Sequence, residues 1–280
     1  MEFKNGYSIK PKYVTSVGEV IFTDGTNEVR ANQITCEDYG YIYNASTGTC
    51  SSFRYNTKIN ITSNNAHNII KGSLNTTNLG TENSFILGVN NTSSGNNQNI
   101  LISGTKNEID NGLNNTSIIG GSLGVAKNQG EVVIAGNGFN EQVGLSQQSF
   151  IQQSNKTLDA TETALLTQYL PLTYIQKVKN SVIGFEANII GINYGGEGEV
   201  GEYGYVQLTG AVKFTNGLAS TYHQTSTHIV TSGQSGMNIS AEMKDVTATS
   251  FGVHVTGIAG TRIQWTASIK LWQNQLQITF

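Results

Sequence analysis

Apolar residues recur every sixteen positions through the first half of the chain, and this period predicts the first structural element. Each short apolar run ends in a glycine, and an isoleucine stands two residues before it. Runs of about five β-branched residues suit strands and are too short for helices, and a fixed period marks a repeat architecture. We therefore predict a parallel β-solenoid of sixteen-residue coils with an isoleucine row inside. The repeat glycines are Gly72, Gly88, Gly104, Gly120 and Gly136, and the isoleucines are Ile70, Ile86, Ile102, Ile118 and Ile134.

Asparagine and glycine mark the corners of the predicted coils. These two residue types tolerate the left-handed backbone that a tight corner demands. Stacked coils place like residues above one another, so we expect asparagine rows whose amides hydrogen-bond along the stack. The Asn-x-Ser/Thr triplets leave glycosylation as the alternative explanation. The corner residues are Asn83, Asn99 and Asn115 at one bend and Gly80, Gly112 and Gly144 at the other.

Apolar residues also stand directly beside the isoleucines. Because successive strand side chains point to opposite faces, Phe85 and Leu101 cannot share the interior of Ile86 and Ile102. A coil of this size offers no second interior of its own. We therefore predict that copies of the chain associate side by side as a homotrimer. An exposed apolar stripe on a monomer is the alternative.

Three segments are predicted along the chain. Residues 1–56 contain the hairpin signal "VIFTDGTNEV" and form an attachment region that caps the first coil. Residues 57–150 form the solenoid shaft. Residues 151–280 contain at least six alternating apolar and polar runs separated by Gly-rich turns, which predict an antiparallel β-sandwich or jelly-roll knob. The predicted fold class is therefore all-β.

Composition and charge limit the partners and the compartment. Charged residues make up 12% of the chain and the net charge is −3, which provides no basic surface for nucleic acid. No apolar segment is long enough to cross a membrane, and "MEFKNGYSIK" lacks the apolar core of a signal peptide. The two cysteines, Cys36 and Cys50, either form a disulfide or remain reduced thiols.

Residues with catalytic or metal-binding chemistry form no recognisable motif. His223 and His228 have an odd spacing that sends them to opposite faces of a strand, and His254 is typical of an ordinary strand histidine. The acidic loop 197–202 carries Glu197, Glu199 and Glu202, which suit a calcium site, a carboxylate pair for glycoside hydrolysis or a solvated loop, and the solvated loop is favoured. We predict no metal, no cofactor and no enzymatic activity.

Several segments resemble known families. "NSFILG" and "NNTSIIGG", with their spacing over residues 64–150, resemble the head repeats of trimeric autotransporter adhesins, which are left-handed parallel β-rolls. "NSVIGFEANIIGI" and "VTGIAGTRIQWTASIKL" resemble a β-sandwich domain at the ends of tailed-bacteriophage fibre and appendage proteins. "ANQITCEDYGYIYNASTGTCSSFRYN" resembles a segment that precedes such repeats in phage proteins. No autotransporter coiled-coil stalk or membrane anchor is evident, which argues against an autotransporter. The phage resemblances imply a virion protein, which reaches the exterior by cell lysis and needs no secretion signal.

We accordingly expect a trimeric phage fibre or spike-like appendage that engages the host cell through its knob. Its partners are then other copies of the chain, other virion proteins at one end, and a glycan or protein of the host surface. Aromatic side chains bind such ligands with little entropy loss. The alternatives are a purely structural head-fibre, tail or collar component, a bacterial trimeric adhesin, and a glycan depolymerase. The candidate contact residues are Tyr194, Tyr203, Tyr205 and Tyr222.

Overall fold

A computed structural model describes residues 2–52, 67–135, 142–231 and 239–276. The chain divides into two compact units, residues 1–66 and 67–280. Nearly all regular structure in the described residues is β-strand, so the all-β prediction is confirmed. The predicted boundary between residues 56 and 57 and the repeat glycine Gly136 lie outside the described residues.

The first unit is a small β-rich domain with a single short helix among its described residues. β2 and β3 form the predicted hairpin, and the Asp24 carboxylate in its turn accepts the backbone N–H groups of Thr26 and Asn27. The Asn32 side chain caps the helix by accepting the N–H of Thr35. The elements are β1 (Lys10–Val14), β2 (Val20–Thr23), β3 (Glu28–Val29), α1 (Gln33–Asp38), β4 (Ile42–Asn44) and β5 (Thr49–Ser51).

A disulfide joins Cys36 of α1 to Cys50 of β5 in the core of this unit. Both cysteines are buried beside Phe22, whose ring packs edge-on against Tyr39 and Tyr41. The sequence left a disulfide and a pair of reduced thiols open, and the structure contains the disulfide. A cross-link is useful in so small a unit, because a short chain buries little apolar surface.

The second unit begins with the predicted parallel β-solenoid. Its coils build two parallel sheets, one of β6, β8, β10, β12 and β14 and one of β7, β9, β11 and β13. The isoleucines pair in register, Ile70 with Ile86, Ile86 with Ile102, and Ile102 with Ile118. The strands are β6 (Ile69–Ser73), β7 (Thr76–Thr77), β8 (Phe85–Val89), β9 (Thr92–Ser93), β10 (Leu101–Thr105), β11 (Glu108–Ile109), β12 (Ser117–Ile118), β13 (Val125–Ala126) and β14 (Val132–Ala135).

The interior row differs from the prediction at its first and last members. Ile86, Ile102 and Ile118 are fully buried, but Ile70 is 39% exposed, because it lies on β6, the end strand of the sheet among the described residues. Ile134 is 45% exposed, and Val133 takes the interior position opposite Ile118. The reason at Ile134 is a change of register. Glu108 pairs with Val125, seventeen residues on, and Ser117 pairs with Val132, fifteen residues on. One coil therefore gains a residue at one corner and loses one at the next, and a one-residue slip moves a side chain to the opposite face.

Asparagine ladders hold the coils together, as predicted. The Asn75 side-chain oxygen accepts from the backbone N–H of Asn91, the Asn91 side-chain oxygen accepts from that of Asn107, and the Asn107 side-chain oxygen accepts from that of Gly124. The buried Asn91 amide also donates to two backbone carbonyls, so its polar groups are satisfied without water. Asn83, Asn99 and Asn115 have the expected left-handed backbone, with φ between 50° and 55°.

The second half of this unit is an antiparallel sandwich that shares a sheet with the solenoid. β14 pairs with β15, and the resulting ten-stranded sheet has the order β20-β19-β18-β23-β15-β14-β12-β10-β8-β6. The predicted boundary at residues 150 and 151 falls within β15. The remaining strands are β15 (Ser146–Thr157), β16 (Glu162–Ala164), β17 (Ile175–Gln176), β18 (Ser181–Gly196), β19 (Tyr203–Phe214), β20 (Ser220–Thr231), β21 (Ser240–Thr247), β22 (Ser250–Thr256) and β23 (Thr261–Gln275).

A smaller sheet of β16, β17, β21 and β22 covers one face of the antiparallel strands. Side chains alternate along these strands, and one set is buried in the core between the two sheets. The largest buried residues there are Trp265, Phe185, Phe214 and Phe251. The opposite face of the large sheet, here called the outer face, carries the alternate residues.

Candidate functional site

Three of the four predicted contact tyrosines lie on the outer face of the large sheet. Tyr203 and Tyr205 of β19 pair with Ile192 and Ile190 of β18, and Tyr194 follows on the same side of β18. The Tyr205 hydroxyl donates to the Asn188 side-chain oxygen over 2.8 Å, which orients its ring. The alternation of β18 and β19 thus gathers these tyrosines into one aromatic surface.

Tyr222 lies on the other side of the sheet and does not join this surface. It pairs with the buried Val212, and its half-buried ring packs against the sandwich core. Its hydroxyl donates to the Asp245 carboxylate over 2.5 Å. Burial, followed by the hydrogen bond to Asp245 and the charge of that carboxylate, raises the pKa of Tyr222. Tyr222 is therefore a packing residue at the edge of the core.

The Asp245 carboxylate is the centre of a polar cluster at this edge. It accepts from the hydroxyl of Ser220 and forms an ion pair of 2.7 Å with Lys177, whose side chain is almost fully buried. Desolvation acts to raise the pKa of Asp245, but hydrogen bonds from Lys177, Tyr222 and Ser220 outweigh it and lower the pKa. The buried ammonium is thus paired, as a buried charge requires.

A second charged cluster lies on the smaller sheet around Lys244. The Lys244 ammonium contacts Glu162 and Glu242, and Nδ1 of His254 lies 2.9 Å from the Glu162 carboxylate. The hydrogen bond from Lys244 lowers the pKa of Glu162, and burial lowers the pKa of His254. At neutral pH Glu162 is therefore ionised and His254 neutral. Neither group is poised to protonate a leaving group, so the cluster is an ion-pair network.

The other candidate groups are dispersed. His223 pairs with Ala211 and His228 with Val206, which places the two imidazoles on opposite faces of β20 as predicted. In the acidic loop 197–202, the Asn193 amide donates to two backbone carbonyls of the loop. No group of three or more His, Cys, Asp or Glu side chains suited to a metal occurs in the described part of the chain. No helix in that part is long and apolar enough to cross a membrane.

The outer face also carries an uncovered apolar stripe, which begins on the solenoid and continues onto the sandwich. Ile69, Phe85 and Leu101 are paired in register on β6, β8 and β10. The later members lie on the same face but two residues further along their strands, because Leu101 pairs with Ser117 and Phe150 pairs with Lys270. The Lys270 ammonium lies over the rings of Phe150 and Trp272 within this stripe. The members of this outer stripe are Ile69, Phe85, Leu101, Ile119, Ile134, Phe150 and Trp272.

Comparison with known proteins finds similarity at the level of solved structures. No protein-family model matches the chain, and no curated protein matches it. A tailspike protein, gp49, of Acinetobacter baumannii bacteriophage Fri1, described as a capsular polysaccharide depolymerase, matches 68% of the chain at 10% identity with a TM-score of 0.29. The tailspike protein of Acinetobacter baumannii phage AM24 matches 76% at 9% identity with a TM-score of 0.26.

A third structure, the tailspike protein of Acinetobacter phage vB_ApiP_P1, matches 72% of the chain at 9% identity with a TM-score of 0.21. The chain spans 36%, 48% and 47% of the lengths of these three structures. The sequence-based prediction of no enzymatic activity is contradicted by this comparison, because the gp49 tailspike is described as a depolymerase. The sequence therefore does not exclude enzymatic activity.

Proposed function

We propose that the chain is a bacteriophage virion protein, a fibre or spike-like appendage that engages the polysaccharide of the host surface. The observation that carries this proposal is the shared sheet. β14 of the solenoid hydrogen-bonds to β15 of the sandwich, so one ten-stranded sheet connects the two parts. A backbone ladder resists bending better than a flexible linker does. The sandwich is therefore held firmly by the stack, as a binding module on an appendage must be.

Self-association is the second part of the proposal. The outer stripe leaves several Ile, Phe and Trp side chains partly exposed in the single chain. Burying such a side chain fully contributes about 1.5–3 kcal/mol. Packing the stripe against other copies removes this surface from water, and a homotrimer about a threefold axis is the closed arrangement that we propose.

The self-association proposal is tested by mass measurement. Multi-angle light scattering of the purified chain is expected to give three times the mass of one chain. Ile134→Asp places a charge in the stripe and is expected to yield folded monomers. Val200→Asp, at an exposed loop position outside the stripe, serves as the control and keeps the wild-type mass. A folded wild-type monomer in dilute solution would overturn this part of the proposal.

Host engagement is assigned to the outer-face tyrosines Tyr194, Tyr203 and Tyr205. Three copies of a weak site on one particle raise the overall affinity through effective concentration. The test is competition, in which the purified chain is added to host cells before the phage. Wild type is expected to block adsorption, and the triple alanine variant is expected to block it less.

The same experiment separates binding from the alternatives. Failure of the wild-type chain to block adsorption would favour a purely structural head-fibre, tail or collar component. Immunogold labelling of intact particles locates the protein on the virion. Incubating the protein with host polysaccharide and following polymer length by size-exclusion chromatography measures cleavage, the activity of a depolymerase.

A further inference from the structure

A cleft of about 630 Å³ opens where β15 ends, beside the aromatic surface. One wall comes from the outer-face side chains of β15 and β23, including Lys156 and Gln264. The other wall comes from the segment after β15, including Leu158, Leu166 and Tyr169. The volume is in the range of small-ligand sites, and the mixture of apolar surface and a few polar groups is typical of them.

The floor of the cleft is rigid. Trp265 is fully buried beneath it, and its indole N–H donates to the Thr157 hydroxyl over 2.9 Å. The indole ring lies against the backbone of Gly191, where a Cβ atom would come within 2.6 Å of the ring. Only glycine permits this approach. The site is therefore preformed, which lowers the entropy cost of binding.

Tyr169 displays its ring at the mouth of the cleft and is 71% exposed. It lies on a short hairpin in which Thr167 and Thr173 bond through both backbone and hydroxyl groups. The side-chain amide of Gln168 donates to the Leu170 carbonyl in the same turn. A large ring held out in water on a tied hairpin offers a flat apolar surface to a ligand.

Lys156 gives the cleft its charge. Its ammonium lies 5.3 Å from the centroid of the Tyr194 ring and forms no ion pair with any described residue. The described lining contains no carboxylate. In contrast, Lys12, Lys177 and Lys244 each pair with an acid. The cleft thus carries one uncompensated positive charge beside two aromatic rings, which favours a ligand that is both anionic and flat on one face.

We infer that this cleft binds an acidic oligosaccharide, one uronic-acid unit of which stacks on Tyr169 and places its carboxylate at Lys156. The Gln264 carboxamide then forms hydrogen bonds with the sugar hydroxyls. This inference rests on the proposed engagement of a host polysaccharide, for which it names the ligand class and the site. Tyr194 belongs to the site through its contact with Lys156.

The test is isothermal titration calorimetry of the full chain with a panel of hexasaccharides containing glucuronate, galacturonate or mannuronate. The same hexasaccharides after reduction of their carboxyl groups are the neutral comparison. Wild type is expected to bind at least one acidic probe and to lose affinity about tenfold or more for its reduced form. Raising the ionic strength is expected to weaken the acidic complex only.

Two variants and two matched controls locate the site. Lys156→Gln and Tyr169→Ala are each expected to weaken binding of the acidic probe about tenfold. Lys213→Gln, an exposed lysine elsewhere on the same sheet, and Tyr13→Ala, an exposed tyrosine in the first unit, are expected to leave binding unchanged. Circular dichroism and the melting temperature establish that each variant is folded.

The outcomes separate this inference from the proposed function. The assignment of the cleft as the binding site would be wrong in any of three cases: wild type binds no acidic probe, wild type binds the reduced probes equally well, or Lys213→Gln weakens binding. If wild type and Lys156→Gln block phage adsorption equally, the proposed binding site in the cleft is wrong, whereas the proposed engagement of the host surface is supported. If the variants lose the acidic probe but wild type does not block adsorption, the cleft stands and the proposed function fails.

Discussion

The indole N–H of Trp265 donates to the hydroxyl of Thr157, and this bond joins two residues that are 108 positions apart in the sequence. Trp265 is fully buried and Thr157 almost so, since both lie on the core side of β23 and β15. The bond satisfies a donor that could otherwise find no water. It also fixes the ring that forms the floor of the proposed cleft.

Thr157→Val is expected to destabilise the chain by about 1–3 kcal/mol, because it leaves the buried indole N–H without an acceptor. Urea unfolding followed by tryptophan fluorescence measures the change. Thr266→Val, on the exposed side of β23, is the matched control and is expected to stay within about 0.5 kcal/mol of wild type. Equal effects of the two substitutions would show that the hydrogen bond contributes no stability.

Gly88→Ala is expected to destabilise the solenoid strongly. Gly88 has φ of 113°, and a Cβ atom there would overlap the carbonyl oxygen of Gly104 in the next coil. Gly112 also has positive φ, at 78°, but a Cβ atom there meets nothing within 4 Å. Gly112→Ala therefore costs only the backbone strain, about 1–2 kcal/mol.

The difference between these two alanine variants measures the close approach of the coils. Gly88→Ala is expected to lie at least about 2 kcal/mol below Gly112→Ala in unfolding free energy. Chemical denaturation followed by far-UV circular dichroism provides both values. Equal stabilities would contradict the close approach of Gly88 in β8 to the Gly104 carbonyl in β10.

Val133→Ala and Ile134→Ala test the register of the last coil. Val133 is buried in the solenoid interior, so its truncation is expected to cost about 1–3 kcal/mol. Both substitutions are made in the background of Phe85→Asp, which places a charge in the outer stripe and is expected to prevent association. Ile134 lies on the outer face, so its truncation in that background is expected to cost less than about 0.5 kcal/mol. Thermal unfolding compares the two variants, and a larger cost for Ile134→Ala than for Val133→Ala would favour the uniform sixteen-residue register.

Glu131 is expected to make stability depend on pH. Its buried carboxylate accepts the N–H groups of Lys127 and Asn128, yet desolvation dominates and raises its pKa above the ordinary 4.5. The folded state therefore binds the proton more tightly than the unfolded state does. The stability contributed by the protonated group is fully present below pH 4.5 and is lost as pH rises through the folded pKa.

The neutral variant Glu131→Gln removes this titration. The unfolding free energy of Glu131→Gln minus that of wild type is expected to increase as pH rises above the ordinary glutamate pKa, because only the wild type loses stability there. Denaturant midpoints over a pH series provide the comparison, and Glu199→Gln, in the exposed acidic loop, is the control that retains the wild-type slope. Parallel slopes for wild type and Glu131→Gln would contradict the assignment.

Much of the solenoid could be predicted from the sequence because its contacts repeat. A period of sixteen places Ile86 above Ile102 wherever the coils stack, and the left-handed corner at Asn99 follows from the residue type. The same applies to the turn at Asp24, where the hairpin signal is local. These features depend on neighbouring residues and on one constant register, so the order of residue types is sufficient to determine them.

Tertiary structure alone decided the features that depend on register between distant segments. Compensating changes at two corners turned Val133 inward and Ile134 outward. The pairing of β19 with β20 placed Tyr222 against the core, away from Tyr203. The floor of the cleft depends on Trp265 of β23, whose indole N–H reaches Thr157 on the adjacent strand β15. Hydrogen bonding between strands far apart in sequence sets these positions, and a shift of one residue reverses the face, so local pattern cannot specify them.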